Sequence, residues 1–295
     1  MRLATDVAKV RVPATSGNLG PGFDSMGMAH DVWDEVEVRL VTGETRVKII
    51  GEGEGTLATD DTHLVVRALR TAMAYVEAPG AGIEMTCRNR IPHGKGMGSS
   101  AAAVVAGLLL ARGLIARPEA LDNQTLLELA TDFEGHPDNA APAIYGGAVV
   151  SWHDGEHIRT AKLPVADSLR TTLLVPAEVL PTKEARAALP AEVPHKDAAF
   201  NAGRTALLVH ALEHDPSLLF AATEDRLHQD YRASAMPHTA RVLGALREAG
   251  WPAVISGAGP SILVFAALDP ATAQIMENEG FHVVPSKQVA GAQLV

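Results

Sequence analysis

A single cysteine, Cys87, stands among the 295 residues. No disulfide can close within the chain, and so sparse a thiol content fits a reducing compartment. Cys87, between Thr86 and Arg88 in a strand-like stretch, reads as structural rather than nucleophilic. Long uncharged apolar runs are missing too, and the opening stretch MRLATDVAKVRVPATSGN holds no continuous apolar segment of the signal-peptide kind. Neither a bilayer span nor a secretory leader is expected, and the cytoplasm is the plain reading. Excess positive charge is also absent. The net charge is −10, a field that repels nucleic acid and anionic membrane yet tolerates a small anion in a local positive pocket. No internal repeat or low-complexity tract occurs. The two commonest nucleotide fingerprints fail as well: Lys95 is followed by Gly96, which breaks G-x-x-x-x-G-K-[ST], and no G-x-G-x-x-G precedes a suitable acid.

What is there is an ordinary globular composition, 47% apolar and 20% charged, long enough for one large domain or two lobes. Its centre of interest is Pro92–Ala102, Pro-His-Gly-Lys-Gly-Met-Gly-Ser-Ser-Ala-Ala. Gly94, Gly96 and Gly98 let the backbone turn tightly and bring its N–H groups against a bound group. Behind them Ser99–Arg112, rich in Ala, Val and Leu, predicts a helix apolar on nearly every face and so buried. A glycine loop feeding a helix start gathers unpaired N–H groups and the positive dipole end at one spot, which suits a phosphate. Ser99 and Ser100 add hydroxyls for a phosphate oxygen or a magnesium ion. A purely structural turn is the alternative on this string alone.

Strands are predicted at Val7–Val12, stopped by Pro13, and at Trp33–Leu40, Thr45–Ile50 and Gly82–Arg88, with helices at His63–Val76 and Thr125–Glu134. The glycine-rich stretch after Pro13 carries Asn18 and Asp24, able to bond a ligand amine or hydroxyl or simply to close Asx-turns. After Gly135 comes His136-Pro137-Asp138-Asn139, a polar bend before a predicted Ile144–Trp152 strand. Glu128, Asp132 and Glu134 would ordinarily be a solvated helix face, but the adjoining bend makes a site there more attractive. His153–His157 spells H-x-x-E-H, the inverted zinc-protease string; Asp154-Gly155 between strand-like flanks predicts a hairpin instead. His210 and His214, on a predicted Asn201–His214 helix, lack a third ligand and read as surface residues. A lobe boundary is expected near Ala161–Leu169. Beyond it come a Leu173–Pro176 strand, Thr182 and Arg186 at a helix start, helices carrying Arg204 and Arg232, and a strand, glycine turn and strand over Ala253–Ala266.

Three glycine-rich blocks, Val12–Ser25, Pro92–Ala102 and Ser256–Ser261, resemble in order and spacing those of the GHMP small-molecule kinases. Within that superfamily Asn18-Leu-Gly-Pro-Gly-Phe-Asp24 and Glu134-Gly-His-Pro-Asp-Asn-Ala-Ala-Pro142 resemble the homoserine kinases. The resemblance implies an α/β fold, more closely the α+β two-lobed one. Residues 1–160 would form an N-terminal lobe with the phosphate loop before a buried helix, and residues 161–295 a ferredoxin-like C-terminal lobe. It implies transfer of the ATP γ-phosphoryl to the side-chain hydroxyl of L-homoserine, on the route to threonine, with Mg2+. Nucleotide would lie against Pro92, His93, Gly94, Lys95, Gly96, Met97, Gly98, Ser99, Ser100, Ala101 and Ala102. Ser100 and Glu134 match the magnesium positions, with Glu128 the alternative acid. Asn18, Asp24, His136, Asn139, Arg186 and Arg232 match the amino-acid pocket, and Asn139, Arg186 and Thr182 the catalytic edge. A homodimer is implied by the resemblance alone, and no nucleic-acid or membrane partner is expected.

Several relatives carry an aspartate where this chain has Asn139, and an amide cannot accept a hydroxyl proton. The expected chemistry is therefore direct attack without a strong general base, since charge in a loose transition state gathers on the migrating group. Departures from the pattern are Gly17, where alanine is more usual, and Lys95 with Met97 in the second block. Rival readings are a mevalonate-pathway type of GHMP kinase and a catalytically inactive nucleotide-binding module.

Overall fold

Period-two alternation builds the first sheet. The computed structural model describes residues 1–295, and in it the first half of β1 (Val7–Gly17), the middle of β2 (Met26–Val41), β3 (Arg46–Gly51) and β4 (Gly82–Asn89) alternate buried and more exposed side chains, while the end of β1 and the start of β2 are buried throughout. Cys87 faces inward on β4, and burial pushes its thiol up to about 12, which keeps it protonated and inert. β3 and β4 pair in parallel, so the chain between them must cross over, and it does so through α1 (Leu64–Tyr75). β5 (Ala148–Asp154) joins the first part of β2 and forms a hairpin with β6 (His157–Leu163).

The apolar run behind the glycine loop is α2 (Ser99–Leu114), packed between the sheet and α1. Gly107 allows that approach, because a Cβ there would collide with the Val65 carbonyl oxygen of α1. α3 (Asn123–Glu134) is capped by the Asp122 carboxylate and ends on left-handed Gly135; α4 (Ala140–Tyr145) follows the polar bend.

The second sheet holds β7 (Thr171–Pro176), β8 (Ala253–Ile255), β9 (Ile262–Val264) and β10 (Phe281–Ser286) in the order β10-β7-β9-β8, with every neighbouring pair antiparallel. Counted within the lobe that order is 4-1-3-2, the ferredoxin-like arrangement. Its helical elements are α5 (Thr182–Ala187), α6 (His195–Glu213), α7 (Leu219–Ala222), α8 (Gln229–Arg232), α9 (Pro237–Glu248) and α10 (Pro270–Asn278). A core of twelve residues, including Leu174, Val242, Leu246 and Ile262, sits under this sheet. A larger one of fifty-three runs from both faces of α2 into Leu208 and Leu212 of α6 and Leu173 of β7, so the lobes share apolar packing.

Four expectations change. Pro13 does not stop β1: the register shifts between Pro13 and Ala14, and pairing with β2 continues to Gly17. A bulge accommodates the missing N–H and leaves the strand intact. Ile144 ends a helix rather than opening a strand, because Gly146 and Gly147, both left-handed, turn the chain before Ala148. The helix expected from Asn201 begins at His195, directly after Pro194, where proline's fixed φ suits a helix entry. The expected boundary at 160/161 falls inside β6, and the chain returns to the first sheet as β11 (Gln293–Leu294), which pairs with β1. His153 and His157 lie on the two arms of the β5–β6 hairpin, and the His157 Nδ1 stands 2.9 Å from Glu128. His210 and His214 lie against each other with ring centroids 5.2 Å apart and planes tilted by 50°.

Candidate active site

Gly94, Gly96 and Gly98 have φ values of +65, +72 and +67°, the left-handed region open to glycine at little expense. Two of them are also places of close approach: a Cβ on Gly96 would strike the Ser256 carbonyl, and one on Gly98 the Thr15 hydroxyl. Four successive carbonyls of this loop are held by other segments. Leu180 N–H donates to Gly94 O at 2.9 Å, Ser261 N–H to Lys95 O at 3.2 Å, Ser256 Oγ to Gly96 O at 2.6 Å, and Thr15 N–H to Met97 O at 3.1 Å. With the carbonyls committed outward, the N–H groups of Gly94 through Ser100 have no protein acceptor. They sit at the start of the sixteen-residue α2, where orphan donors and the dipole favour an anion.

Those donors border a polar cleft. Asn18, Asp24, Gly94, Gly96, Gly98, Ser99, Ser100, Glu134, His136, Asn139, Thr182, Arg186 and Arg232 all line it, so residues from both lobes converge. Other expected positions lie elsewhere. Met97 is 2% exposed in the core, Ala101 is buried at the start of α2, and Pro92 and Lys95 do not line the cleft. Glu128 is apart from it, bonded to Gln124 and His157.

Ser100 Oγ donates to Glu134 Oε1 at 2.5 Å, and burial holds the Glu134 carboxyl above its ordinary pKa despite that bond. Across the cleft Arg186 grips Asp24 with two bonds of 3.0 and 2.8 Å, which raises the guanidinium pKa further. Asp24 is itself left-handed, φ +55°, and its N–H donates to Asn18 Oδ1, while Asn18 Nδ2 donates to Gly257 O. Asn18 is thus committed to joining the first and third glycine blocks. Arg232, 1% exposed, donates to Ala185 O and Gly257 O and to His228 Nδ1, whose ring is oriented by Nε2–H on Gly20 O. Burial, then the charge of Arg186, lowers the Arg232 pKa, so this corner favours an added anion.

The bend at 136–139 adds a carboxylate passed over in the sequence. Asp138, 2% exposed, accepts from His136 Nδ1 at 2.5 Å and from Asn139 Nδ2 at 3.3 Å. Burial pulls the His136 pKa down, but the bond and charge of Asp138 outweigh it and leave the net shift upward. Asn139 Oδ1 accepts from Thr15 Oγ1 at 2.9 Å, which fixes which end of the amide faces the substrate side. Gly17 leaves room for this cluster, since a Cβ there would overlap the Asp138 carboxylate. Ligand atoms of Asp24, His136 and Asp138 lie within 4.8 Å of one another, a spacing that suits an ammonium group as well as a metal ion.

A second cavity of about 380 Å³ opens beside the loop, lined by Val36, Leu57, Val65, Ala102 and Ala106 with His63 and His93. It shares Gly94, Ser99 and Ser100 with the polar cleft. His63 Nδ1 and His93 Nε2 have no hydrogen-bond partner. Asp34, at its edge, accepts the N–H groups of Arg90 and Ile91 at 2.6 and 2.9 Å, and burial pushes its carboxyl up to about 6. Neither His63 nor Asp34 was signalled by the sequence, where the first merely opens a predicted helix and the second lies inside a predicted strand.

The sequence profile of the GHMP kinase N-terminal domain matches residues 63–147, and that of the C-terminal domain residues 207–279. The chain is 50% identical over 264 residues to a homoserine kinase of Streptomyces coelicolor, covering 89% of this chain and 85% of that one. It is 46% identical over 294 residues to a homoserine kinase of Mycolicibacterium smegmatis, covering 96% and 93%. The crystal structure of a homoserine kinase from Cytophaga hutchinsonii superposes with a TM-score of 0.85 at 30% identity, over 99% of this chain and 98% of that one. Mevalonate diphosphate decarboxylase from Staphylococcus aureus, at 15% identity and a TM-score of 0.67, shares the fold. With the loop, the two-lobed cleft and this likeness over nearly its full length, the chain belongs to the homoserine kinase family of the GHMP kinases.

Proposed function

We propose that the protein transfers the γ-phosphoryl group of ATP to the side-chain hydroxyl of L-homoserine, releasing ADP and O-phospho-L-homoserine. The observation that carries this reading is one cleft in which unpaired loop N–H groups face an acid–guanidinium pocket from the opposite lobe. The apolar cavity next to the loop suits the nucleobase, with the triphosphate running along the shared Gly94, Ser99 and Ser100.

Ser100 and Glu134 fit a magnesium ion: both offer hard oxygen, and a partly buried carboxylate with a hydroxyl as its one partner favours an added cation. When bound, magnesium would neutralise charge on the phosphate oxygens. The chain's own residues do the rest. Asp24 with Arg186 has the charge separation of a zwitterionic amino acid. Homoserine can therefore exchange partners with the pair, ammonium to Asp24 and Asp138, carboxylate to Arg186 and Arg232, leaving no charge uncompensated. Asn139, held by Thr15, directs its amide N–H at the substrate oxygen and orients the hydroxyl. The new O–P bond forms as the β–γ bridge breaks, and the hydroxyl proton leaves on a phosphoryl oxygen.

The test is a coupled ADP-release assay across a panel of amino acids and polyols, with and without magnesium. Turnover that depends on homoserine and magnesium is expected; ATP bound with no acceptor-dependent turnover contradicts the reading.

A further inference from the structure

A buried line of hydroxyls and one imidazole ends on the phosphate loop. Ser256 Oγ bonds Gly96 O at 2.6 Å, Ser16 Oγ lies 2.6 Å from Ser256 Oγ, and His30 Nε2 lies 2.8 Å from Ser16 Oγ. On its other side His30 Nδ1 stands 3.5 Å from Ser286 Oγ of β10. Ser16, His30 and Ser256 are wholly buried, and His30 is not among the residues lining either cavity.

The partners fix every proton in this line. A carbonyl can only accept, so the Ser256 proton is committed to Gly96. Ser256 then accepts from Ser16, and Ser16, its own proton committed, accepts from His30. His30 must therefore carry its proton on Nε2 and leave Nδ1 as an acceptor. Burial pushes its pKa down to about 3, which keeps this neutral form at working pH.

In a trans peptide the C=O and the following N–H point to opposite sides, so whatever holds Gly96 O also aims the Met97 N–H. The neighbouring carbonyls of Gly94, Lys95 and Met97 are held by backbone donors; that of Gly96 is held by a side chain. Gly96, left-handed and without a Cβ, would let its peptide rotate at little expense once released. We propose that His30 is a positioning residue for phosphoryl transfer: its Nε2–H orders Ser16 and Ser256 so that the Gly96–Met97 peptide presents its N–H to the nucleotide phosphates. This rests on the reading of the loop as the phosphate site.

The experiment measures kcat and KM for MgATP and for homoserine separately, in the full chain and in His30→Leu, His30→Gln and Ser256→Ala, with circular dichroism to verify folding. His30→Leu is expected to raise KM for MgATP about tenfold, the effect of one lost hydrogen bond, with KM for homoserine unchanged. His30→Gln, whose amide N–H can reach Ser16, restores most of that loss. Ser256→Ala reproduces the leucine effect, and the double variant is no worse than either single. An unchanged MgATP KM in His30→Leu and Ser256→Ala overturns the proposal. So does equal impairment by leucine and glutamine, or a parallel rise in both KM values, which marks a loosened core. If His30→Leu does not fold, Ser256→Ala decides alone. A wild type without homoserine-dependent turnover refutes the kinase reading itself, whereas an active wild type with indifferent variants refutes the role of His30 only.

Discussion

Asp24 and Arg186 are 162 positions apart and meet through two hydrogen bonds. Each was legible singly, in a string resembling a kinase pocket, but their pairing was not, because no local pattern records which distant cation faces a given acid. Their exchange with substrate charges predicts that Arg186→Ala lowers kcat/KM for homoserine by roughly a hundredfold or more, as losing one partner of a half-buried charge pair does. Asn139→Asp is expected to stay within about tenfold of wild type, because no base is needed in a loose transition state; steady-state kinetics check both. Glu134 beside Ser100 and Glu128 beside His157 predict a second contrast. Glu134→Gln raises the magnesium concentration for half-maximal rate by about tenfold or more, the effect of losing a charged partner, and Glu128→Gln leaves it alone, which a magnesium titration reads. Asp138 is not distinguishable in the sequence, because its burial and its bond to His136 follow from the folded bend and not from the residue types around it. His30 contributes to the pH dependence of stability, alongside His228, whose ring burial also pushes below its ordinary pKa. Its folded pKa of about 3 lies below the ordinary 6.5, so the unfolded chain takes up the proton first as pH falls. The stability carried by the neutral ring is complete above pH 6.5 and is lost downwards, by about 2 kcal/mol at pH 5. His30→Gln should lose that much less between pH 7 and 5 in urea titrations, and equal slopes would contradict it.

The loop and α2 were readable because glycine spacing and unbroken apolarity are local properties. The end predicted for β1 at Pro13 is wrong because the bulge that absorbs the proline is set by pairing with β2, which no local pattern records. Only the last two residues of α4 fall in the predicted strand, because six residues are too few for a helical period to assert itself against β-like Ile144 and Tyr145. α1 against α2 carries its own test. By helix propensity alone Gly107→Ala would stabilise α2 by about 1 kcal/mol. Here the added methyl meets the Val65 carbonyl, a backbone atom that cannot swing aside, and the expected result is destabilisation by about 2 kcal/mol or more. The urea midpoint gives the sign directly.

Across both lobes, the ferredoxin-like sheet followed from the resemblance rather than from any pattern in the residues, and the core that joins the lobes was not foreseen at all. The return of the chain to β1 was not foreseen, because two residues of strand carry no periodicity. That return supports the site from behind. Ala292 N–H donates to Ala143 O and Gly147 N–H to Val289 O, both at 2.7 Å, which brackets α4 and hence the Asn139 bend. A Cβ on Gly291 would run into the Ile144 carbonyl and the Gly146 N. Gly291→Val is therefore expected to lower stability by about 2 kcal/mol and, unlike Gly107→Ala, to depress kcat at temperatures where the protein is still folded; calorimetry and rate measurements on one sample separate the two. The four tethered carbonyls of the phosphate loop have a last implication. A segment already locked from outside has little order left to gain when a triphosphate arrives, so its amides should exchange with solvent deuterium at nearly the same rate with and without the nucleotide, except where an oxygen caps them directly. Arrival is then lock-and-key capture, and the matter displaced is water rather than polypeptide.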